Sequence, residues 1–369
     1  MMIAGIIKFL FVLTVMVIVH ELGHFIAARK TGVRVETFSI GFGKKLFRRK
    51  GKETEFAVSA IPLGGYVTMA GDTLDNYQGK PDEFFAKPAS KRFAIVVCGP
   101  VMNYLLGILL FWMIFFFGYP VLTTKVGGLV EGKGAQRAGI QAGDTITAVE
   151  NVRVQYWDDM VGAIRSRQDQ DSLKITLVRA GQEMTYEVQL VQETLPDALK
   201  QKRKVGLIGI RPDFETTVVM KHGFWQSLPL GIGKTWELTT LTYKAFWYII
   251  TRKIDARESV TGPVGIWELI SRTKTLNEIM VLMAVLSISL AIFNLLPVPP
   301  LDGGHILFMI IEKLRGKPLD KKTDEIVGRI GWGLFVLLGV AVFVNDLIRL
   351  GVVQKAAVLM QKIVGRFIH

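Results

Sequence analysis

The apolar residues of this 369-residue chain are concentrated in four long blocks, which constrain the fold more than any other feature. The blocks lie at about residues 5–28, 93–119, 279–300 and 330–350. Each is long enough to cross a hydrocarbon layer of about 30 Å at about 1.5 Å per helical residue. Mean hydropathy is +0.35, although the segments between the blocks have an ordinary polar composition. The pattern predicts an α-helical polytopic membrane protein with about four transmembrane helices.

Basic residues dominate the charge of the chain, and the formal net charge is +13. They flank the apolar blocks, which favours contact with anionic lipid headgroups, and nothing resembles a nucleic-acid-binding module. One group of basic residues lies between the first and second blocks, and another lies between the third and fourth. The positive-inside rule predicts that both groups are cytoplasmic. The N-terminus, the long central segment and the C-terminus are then expected on the outer side. The two groups are Arg29, Lys30, Arg34, Lys44, Lys45, Arg48, Arg49, Lys50 and Lys52, and Lys313, Arg315, Lys317, Lys321, Lys322 and Arg329.

The segments between the blocks differ in sequence pattern and composition. Within 29–92, residues 34–42 and 53–67 are typical of short strands, and a turn at 62–65 predicts a membrane-associated β-hairpin or sheet. Residues 121–192 alternate strand and helix signals and predict one small α/β domain, inserted between the second and third spans. Residues 193–275 are expected to hold a charged linker at 193–204 and an amphipathic helix at 224–254. We expect this helix on the outer membrane surface, with a fifth span as the alternative.

The first block carries the pattern H-E-x-x-H as His20, Glu21 and His24. Residues four apart lie on one face of a helix, so both imidazoles can reach the same ion, and Glu21 can serve as a general base. Ionisable residues inside an apolar helix are costly unless they face a polar cavity or an ion. The alternative is a set of interfacial residues that end the span. The first interpretation predicts a zinc site within the membrane domain.

A third ligand is expected near the end of the third block. Prolines at 297, 299 and 300 interrupt the helix, and Asp302 follows on the same predicted side of the membrane as the two histidines. Asp302 can also be a helix N-cap, and Asn294 can be an amide that joins helices. His305 is interpreted as a residue near the site or on the surface. A different H-E-x-x-H enzyme would use a downstream glutamate, for which the chain offers Glu268, Glu278 and Glu312.

Several longer motifs resemble one known family. H-E-L-G-H in the first block, N-x-x-P-x-x-x-x-D-G at 294–303 and a PDZ-like A-G-I-Q-A-G-D-T-I at 138–146 are similar to the site-2 protease family of intramembrane metalloproteases. Matching signatures also occur at 17–25, 38–43, 61–67, 99–103 and 262–266. Within the family, the chain resembles bacterial regulator-of-sigma-E proteases, but it has one PDZ segment where the best-known enterobacterial member has two.

The resemblance implies roles for individual residues. His20, His24 and Asp302 would hold one Zn²⁺ per chain, with Glu21 as the general base. Asn294 would hold the unwound substrate or the oxyanion. A hairpin would pair with the substrate by adding it as an edge strand, and its implied contact residues are Ile61, Pro62, Leu63, Gly64, Gly65 and Tyr66.

The same resemblance implies a multi-pass protein of the bacterial inner membrane, with its active site near the cytoplasmic side and its PDZ domain outside. Its substrates would be single-span membrane proteins such as trimmed anti-sigma factors, together with signal-peptide remnants. The PDZ domain would bind a peptide or the outer part of a substrate. The competing hypothesis is a membrane scaffold whose PDZ domain recruits partners and whose metal is structural. Such a site would be closed by four protein ligands.

Overall fold

The computed structural model describes residues 2–197, 199, 201–316 and 321–351, so Lys317 of the second basic group lies outside the described residues. In chain order the elements are α1 (Met2–Thr31), β1 (Val35–Lys50), β2 (Glu55–Met69), α2 (Ala89–Phe117), β3 (Tyr119–Leu122), β4 (Val126–Leu129), α3 (Gly134–Arg137), β5 (Thr145–Val149), β6 (Val152–Arg153), α4 (Trp157–Arg165), β7 (Ser172–Arg179), β8 (Gln182–Gln189), β9 (Val191–Pro196), β10 (Lys202–Leu207), β11 (Ile210–Pro212), β12 (Thr217–Met220), α5 (Phe224–Ile250), α6 (Ala256–Ser259), α7 (Pro263–Arg272), α8 (Leu276–Asn294), α9 (Asp302–Arg315) and α10 (Lys321–Arg349).

Four helices among the described residues are long and apolar enough to cross a membrane, as the sequence predicts. The candidate spans are Ile3–Thr31, Ala89–Phe117, Leu276–Asn294 and Glu325–Arg349. The third is shorter than predicted, because the prolines that follow Asn294 cannot continue a helix. The second begins before its predicted start at 93, because Arg92 is buried in an ion pair with Glu312 and does not end the helix.

The chain divides into two compact units. The first holds the described residues of 1–114, 227–244 and 255–369, and with them three candidate spans in full and the second up to residue 114. Helix α5 is not one of these spans, and a stripe of small residues along it is buried. At Gly231 in this stripe, an added Cβ would lie 2.9 Å from the backbone nitrogen of Trp112, so the helix backbones of α5 and α2 approach closely. The orientation of α5 relative to the membrane stays a prediction.

Strands β1 and β2 bend on themselves and form four adjacent segments of sheet. Residues 37–40 pair on one side with 55–58 and on the other with 65–68, and residues 45–50 pair with 55–59. The order across this sheet is therefore 45–50, 55–59, 37–40 and 65–69. The segment 65–69 lies at one edge, and no further strand pairs with it among the described residues. The backbone groups along that edge can accept another strand.

The second unit holds residues 115–226 and 245–254. Its centre is an antiparallel sheet of order β6-β5-β7-β8, and its fully buried side chains include Ile146, Met160 and Ile175. The charged linker predicted at 193–204 is wrong. Strands β9 and β10 form a hairpin there, from Val191 opposite Leu207 to Pro196 opposite Lys202. Charged side chains on the exposed face of a two-stranded ribbon resemble a linker in composition, although the backbone is paired.

Candidate metal centre

His20 and His24 lie one turn apart on α1, and both are buried, with 7% and 8% of their surface exposed. Their Nε2 atoms are 3.1 Å apart. Asp302 is the first residue of α9, and its Oδ2 lies 3.1 Å from Nε2 of His20 while its Oδ1 lies 3.5 Å from Nε2 of His24. One ligand atom from each residue lies within 4.8 Å of the others. The structure thus brings together the three residues that the sequence singles out.

Two glycines allow Asp302 to reach the histidines. The segment that follows α8 folds over the start of α9, where Gly303 and Gly304 lie against its backbone. A Cβ on Gly304 would lie 2.7 Å from the nitrogen and 2.9 Å from the Cα of Pro299, which is too close for any side chain. The D-G-G sequence is therefore required by the close approach of two backbone segments.

The outer nitrogen of each imidazole has a partner. Nδ1 of His24 lies 2.9 Å from the backbone oxygen of Ile95, which can accept a proton only from an Nδ1–H. The Nε2 atom of neutral His24 is then left with its lone pair directed at the cluster. Nδ1 of His20 lies 3.2 Å from the side-chain amide of Asn103 on α2.

The cluster fits a zinc ion. Two imidazole nitrogens and one carboxylate oxygen are a donor set of catalytic zinc sites, which leave one position open. Oδ2 of Asp302 is buried and makes no hydrogen bond of acceptable geometry with the described residues, although His20 Nε2 is close. Lone pairs that converge without a donor between them repel one another unless a cation is bound. In the described part of the chain the cluster has three members, so no fourth protein ligand closes the site.

The other residues considered as ligands are not members of the cluster, although His305 lines the cavity beside it. His305 is exposed on α9 and is not part of the cluster. The three alternative glutamates have other partners: Glu268 pairs with Arg272, Glu278 accepts from the backbone of Lys274, and Glu312 pairs with Arg92. This geometry disfavours the downstream-glutamate hypothesis.

A cavity of about 740 Å³ adjoins the cluster. Glu21 and Asn294 both line it, as does Gly65 at the start of the edge segment 65–69. The backbone of Val67 in that segment lies near the Glu21 carboxylate. The cavity also holds Asp72, whose pKa is raised by burial although the backbone N–H of Met69 donates to it.

The residues of the predicted substrate segment lie in different surroundings. Of the residues 61–66, only Gly65 lines the cavity, while Ile61 and Leu63 are 48% and 49% exposed. The backbone oxygen of Pro62 accepts from Thr14 of α1. Gly64 lies close to Val17 of α1, and the ring of Tyr66 stacks on Phe42. Every second residue from Gly65 onward faces the cavity, so Val67 and Met69 line it with Gly65.

Residues of α2 were missed as part of the site. Gly99 lies against both imidazoles, since a Cβ there would be 2.5 Å from Cε1 of His24 and 2.9 Å from Cε1 of His20. Asn103 follows four residues later on the same face of α2. The motif G-P-x-M-N at 99–103 contains both residues, so its spacing was the available signal.

Comparison with known proteins identifies the family to which this chain is similar. The profile of peptidase family M50 matches residues 8–338. A protein of Clostridium acetobutylicum named for zinc metalloprotease activity is 32% identical over 90% of this chain and 94% of its own. One of Agrobacterium fabrum, named likewise, is 33% identical over 93% and 95%. The regulator of sigma-E protease RseP of Escherichia coli is 28% identical over 93% and 98%. Among solved structures, the PDZ domain of an SdrC-like protein from Listeria monocytogenes matches 26% of this chain and 92% of its own at 18% identity, with a TM-score of 0.21.

Proposed function

The chain belongs to peptidase family M50, the site-2 protease family, and from this premise we propose that it hydrolyses peptide bonds inside the transmembrane segments of single-span membrane proteins. It is a zinc metalloprotease of the site-2 protease type, and the resemblance found in its motifs is confirmed. The observation that carries the proposal is the position of three convergent metal donors and a glutamate beside one cavity in the helical unit. Anti-sigma factors and signal-peptide remnants are the proposed substrates.

One zinc ion per chain is proposed, held by His20, His24 and Asp302. When bound, zinc supplies Lewis-acid chemistry, because it acidifies water to a pKa of about 7 and polarises a carbonyl group. Ile95 fixes the ring of His24 through its backbone oxygen, so the imidazole keeps its Nε2 directed at the cluster. Burial of all three donors excludes competing waters from most of their surface.

Glu21 is proposed to move the proton during hydrolysis. It neighbours His20 on α1 and lines the same cavity, so its carboxylate is placed to take a proton from the attacking water. The same carboxyl then delivers that proton to the amine of the departing peptide. The carboxylate lies near the backbone of Val67 in the edge segment 65–69, where the substrate backbone would lie.

The substrate is proposed to bind as a strand along segment 65–69. A helical substrate hides its carbonyl groups in internal hydrogen bonds, so it must unwind before a peptide bond is exposed. The unpaired edge offers replacement partners for the unwound backbone. Asn294, at the end of α8 and on the cavity wall, is placed to donate to a substrate carbonyl. Substrates with helix-destabilising residues are therefore expected to be cleaved faster.

The second unit is proposed to bind a peptide. A cavity of about 210 Å³ lies between α4 and residues 205–210, lined by apolar groups that include Met160, Ile164 and Leu207. Strand β10 pairs only with β9 among the described strands, which supports peptide binding by strand addition. We place this unit on the outer side of the inner membrane and the metal centre near its cytoplasmic side, on the basis of the two basic groups.

The decisive experiment measures cleavage of single-span reporters by purified protein in proteoliposomes, with and without a chelator. Glu21→Gln is expected to keep its zinc and to lose at least about 100-fold in cleavage rate, the usual contribution of a general base. Glu237→Gln, an exposed glutamate of α5, is the control and should cleave at the wild-type rate. Wild-type cleavage by Glu21→Gln, or activity that survives complete chelation, would refute the proposed function.

A paired experiment tests the ligand set. Asp302→Ala should lose zinc, whereas Glu278→Ala should retain it, because Glu278 bonds the backbone of Lys274 outside the cluster. Metal content of the two purified variants decides the matter. Full zinc in Asp302→Ala would favour a site built on another carboxylate.

A further inference from the structure

Asn103 is a buried polar residue inside an apolar helix. It lies near the middle of α2, and none of its surface is exposed. A primary amide in such a position is costly unless its groups find hydrogen-bond partners. Its backbone oxygen accepts from Oγ of Ser287 on α8 at 2.9 Å. Its side chain contacts Nδ1 of His20 at 3.2 Å.

The side-chain amide directs its nitrogen toward His20. In this orientation Oδ1 of Asn103 is buried and has no partner among the described residues. The oxygen and nitrogen of an amide exchange places by a half-turn of the group, and the correct assignment follows from the hydrogen-bond network. The question is therefore which of the two atoms faces His20 when the site holds its metal.

The chemistry of His20 answers this question. Its Nε2 faces His24 and Asp302, so this nitrogen must offer a lone pair to the ion. A neutral imidazole that binds through Nε2 carries its proton on Nδ1, which then needs an acceptor. An amide nitrogen has no lone pair to accept a proton, whereas Oδ1 of Asn103 does. The half-turn places Oδ1 against Nδ1–H and gives the orphaned oxygen its partner.

We propose that Asn103 is the positioning residue of the metal centre: its Oδ1 accepts from Nδ1–H of His20 and so holds the ring in the tautomer that binds zinc through Nε2. The proposal rests on the proposed function only for the identity of the metal. Each histidine then has an acceptor for its Nδ1–H, since the backbone oxygen of Ile95 serves His24 in the same way. The acceptor for His20 is a side chain and can therefore be changed by mutation.

Three variants separate hydrogen bonding from packing, each made with Glu21→Gln so that no self-cleavage occurs. Asn103→Leu has nearly the same shape but no acceptor, and we expect its zinc affinity to fall about 10- to 100-fold, as on loss of such partners elsewhere. Asn103→Asp offers only acceptor oxygens and should stay within about threefold of the parent. Ser287→Ala removes the bond to the Asn103 backbone alone and is expected to leave zinc affinity unchanged.

Zinc affinity is measured by competition with a chelating dye, and the proton on His20 by ¹⁵N NMR of histidine-labelled protein. The NMR spectrum of the zinc-loaded parent should show a protonated Nδ1 on His20. Unchanged zinc affinity in Asn103→Leu would overturn the proposal, and so would an equal loss in Asn103→Asp and Asn103→Leu. Neither readout depends on proteolysis. A wild-type protein with Glu21 intact that binds zinc as expected but cleaves nothing would refute the proposed function and leave this inference standing.

Discussion

The contact between α1 and α2 leaves no room for a side chain at Gly99, and Gly99→Ala should therefore damage the metal centre directly. Gly23 of α1 lies against the same region, where an added Cβ would be 2.7 Å from the carbonyl carbon of Cys98 and 2.9 Å from Cα of Gly99. The two helix backbones are thus in contact, as small residues permit in membrane proteins. The methyl group that Gly99→Ala introduces would have to fit between this contact and two imidazole rings.

The size of the effect follows from the distances. The new methyl would lie 2.5 Å from Cε1 of His24, whereas ordinary contact begins at 3.4 Å, so the two groups must separate by about 1 Å. The ring of His24 is held at Nδ1 by the backbone of Ile95, one turn earlier on the same helix as Gly99. Zinc–ligand distances tolerate deviations of about 0.2 Å. We expect zinc affinity to fall by at least about 100-fold, beyond the loss typical of an outer hydrogen-bond partner.

Gly107→Ala is the matched control, since it makes the same substitution two turns further along α2. Its methyl would meet the side chain of Ile288 at 2.6 Å, far from any metal donor. Both variants are assayed for zinc by dye competition and for unfolding temperature in detergent. Gly107→Ala should lose stability but keep zinc affinity within about threefold. Equal zinc affinities in the two variants would refute the argument that Gly99 makes room for the histidines.

Three further predictions concern buried charges. Replacing Glu312 by Met should lower the free energy of unfolding by about 3–5 kcal/mol, because Arg92 is left buried and unpaired, and replacing Arg92 by Met as well should reduce this loss. Equal losses in chemical unfolding of the single and double variants would contradict this. The carboxylate of Asp346 accepts hydrogen bonds from two backbone N–H groups at the start of α7, at 3.0 and 2.9 Å. Asp346→Ala should therefore lower the free energy of unfolding by about 1–3 kcal/mol for each N–H group left without a partner, as measured by chemical unfolding. In the second unit, the hydrogen bond from Arg179 lowers the pKa of Asp144, so its stabilising contribution is present above about pH 4 and is lost as the pH falls further. The unfolding temperature of this unit should accordingly fall more steeply between about pH 5 and 3 in the parent than in Asp144→Asn, and parallel curves would contradict the assignment.

Much of the membrane domain could be predicted from sequence, because its physical causes are local. Four apolar blocks predict four helices long enough to span, and the i, i+4 spacing of His20 and His24 places both rings on one face. The position of Asp302 beside them followed from the motif at 294–303 and from the proline-broken helix before it. Helix ends were less accurate where a tertiary contact decides them, as at Arg92.

The remaining features depend on contacts between distant segments. The β-hairpin folds twice on itself, so its register is set by irregular pairing that alternation of residue types does not reveal. The hairpin residues on the cavity wall are Gly65, Val67 and Met69, whereas the resemblance implied substrate contacts at 61–66, which stay a prediction. The contact of Asn103 with His20 joins two helices across 83 residues. Which atom of the amide faces His20 is indicated only by the unpaired oxygen.

The order of the three proposed ligands along the chain has a consequence for biosynthesis. His20 and His24 emerge from the ribosome with the first helix, whereas Asp302 emerges only after the whole of the second unit and the third span have been made. A nascent chain with its first two spans inserted therefore has two zinc ligands and cannot complete the site. Hydrolytic competence begins only when α9 has been synthesised and docked. The proposed intramembrane protease is thereby inactive while its first three spans are being inserted.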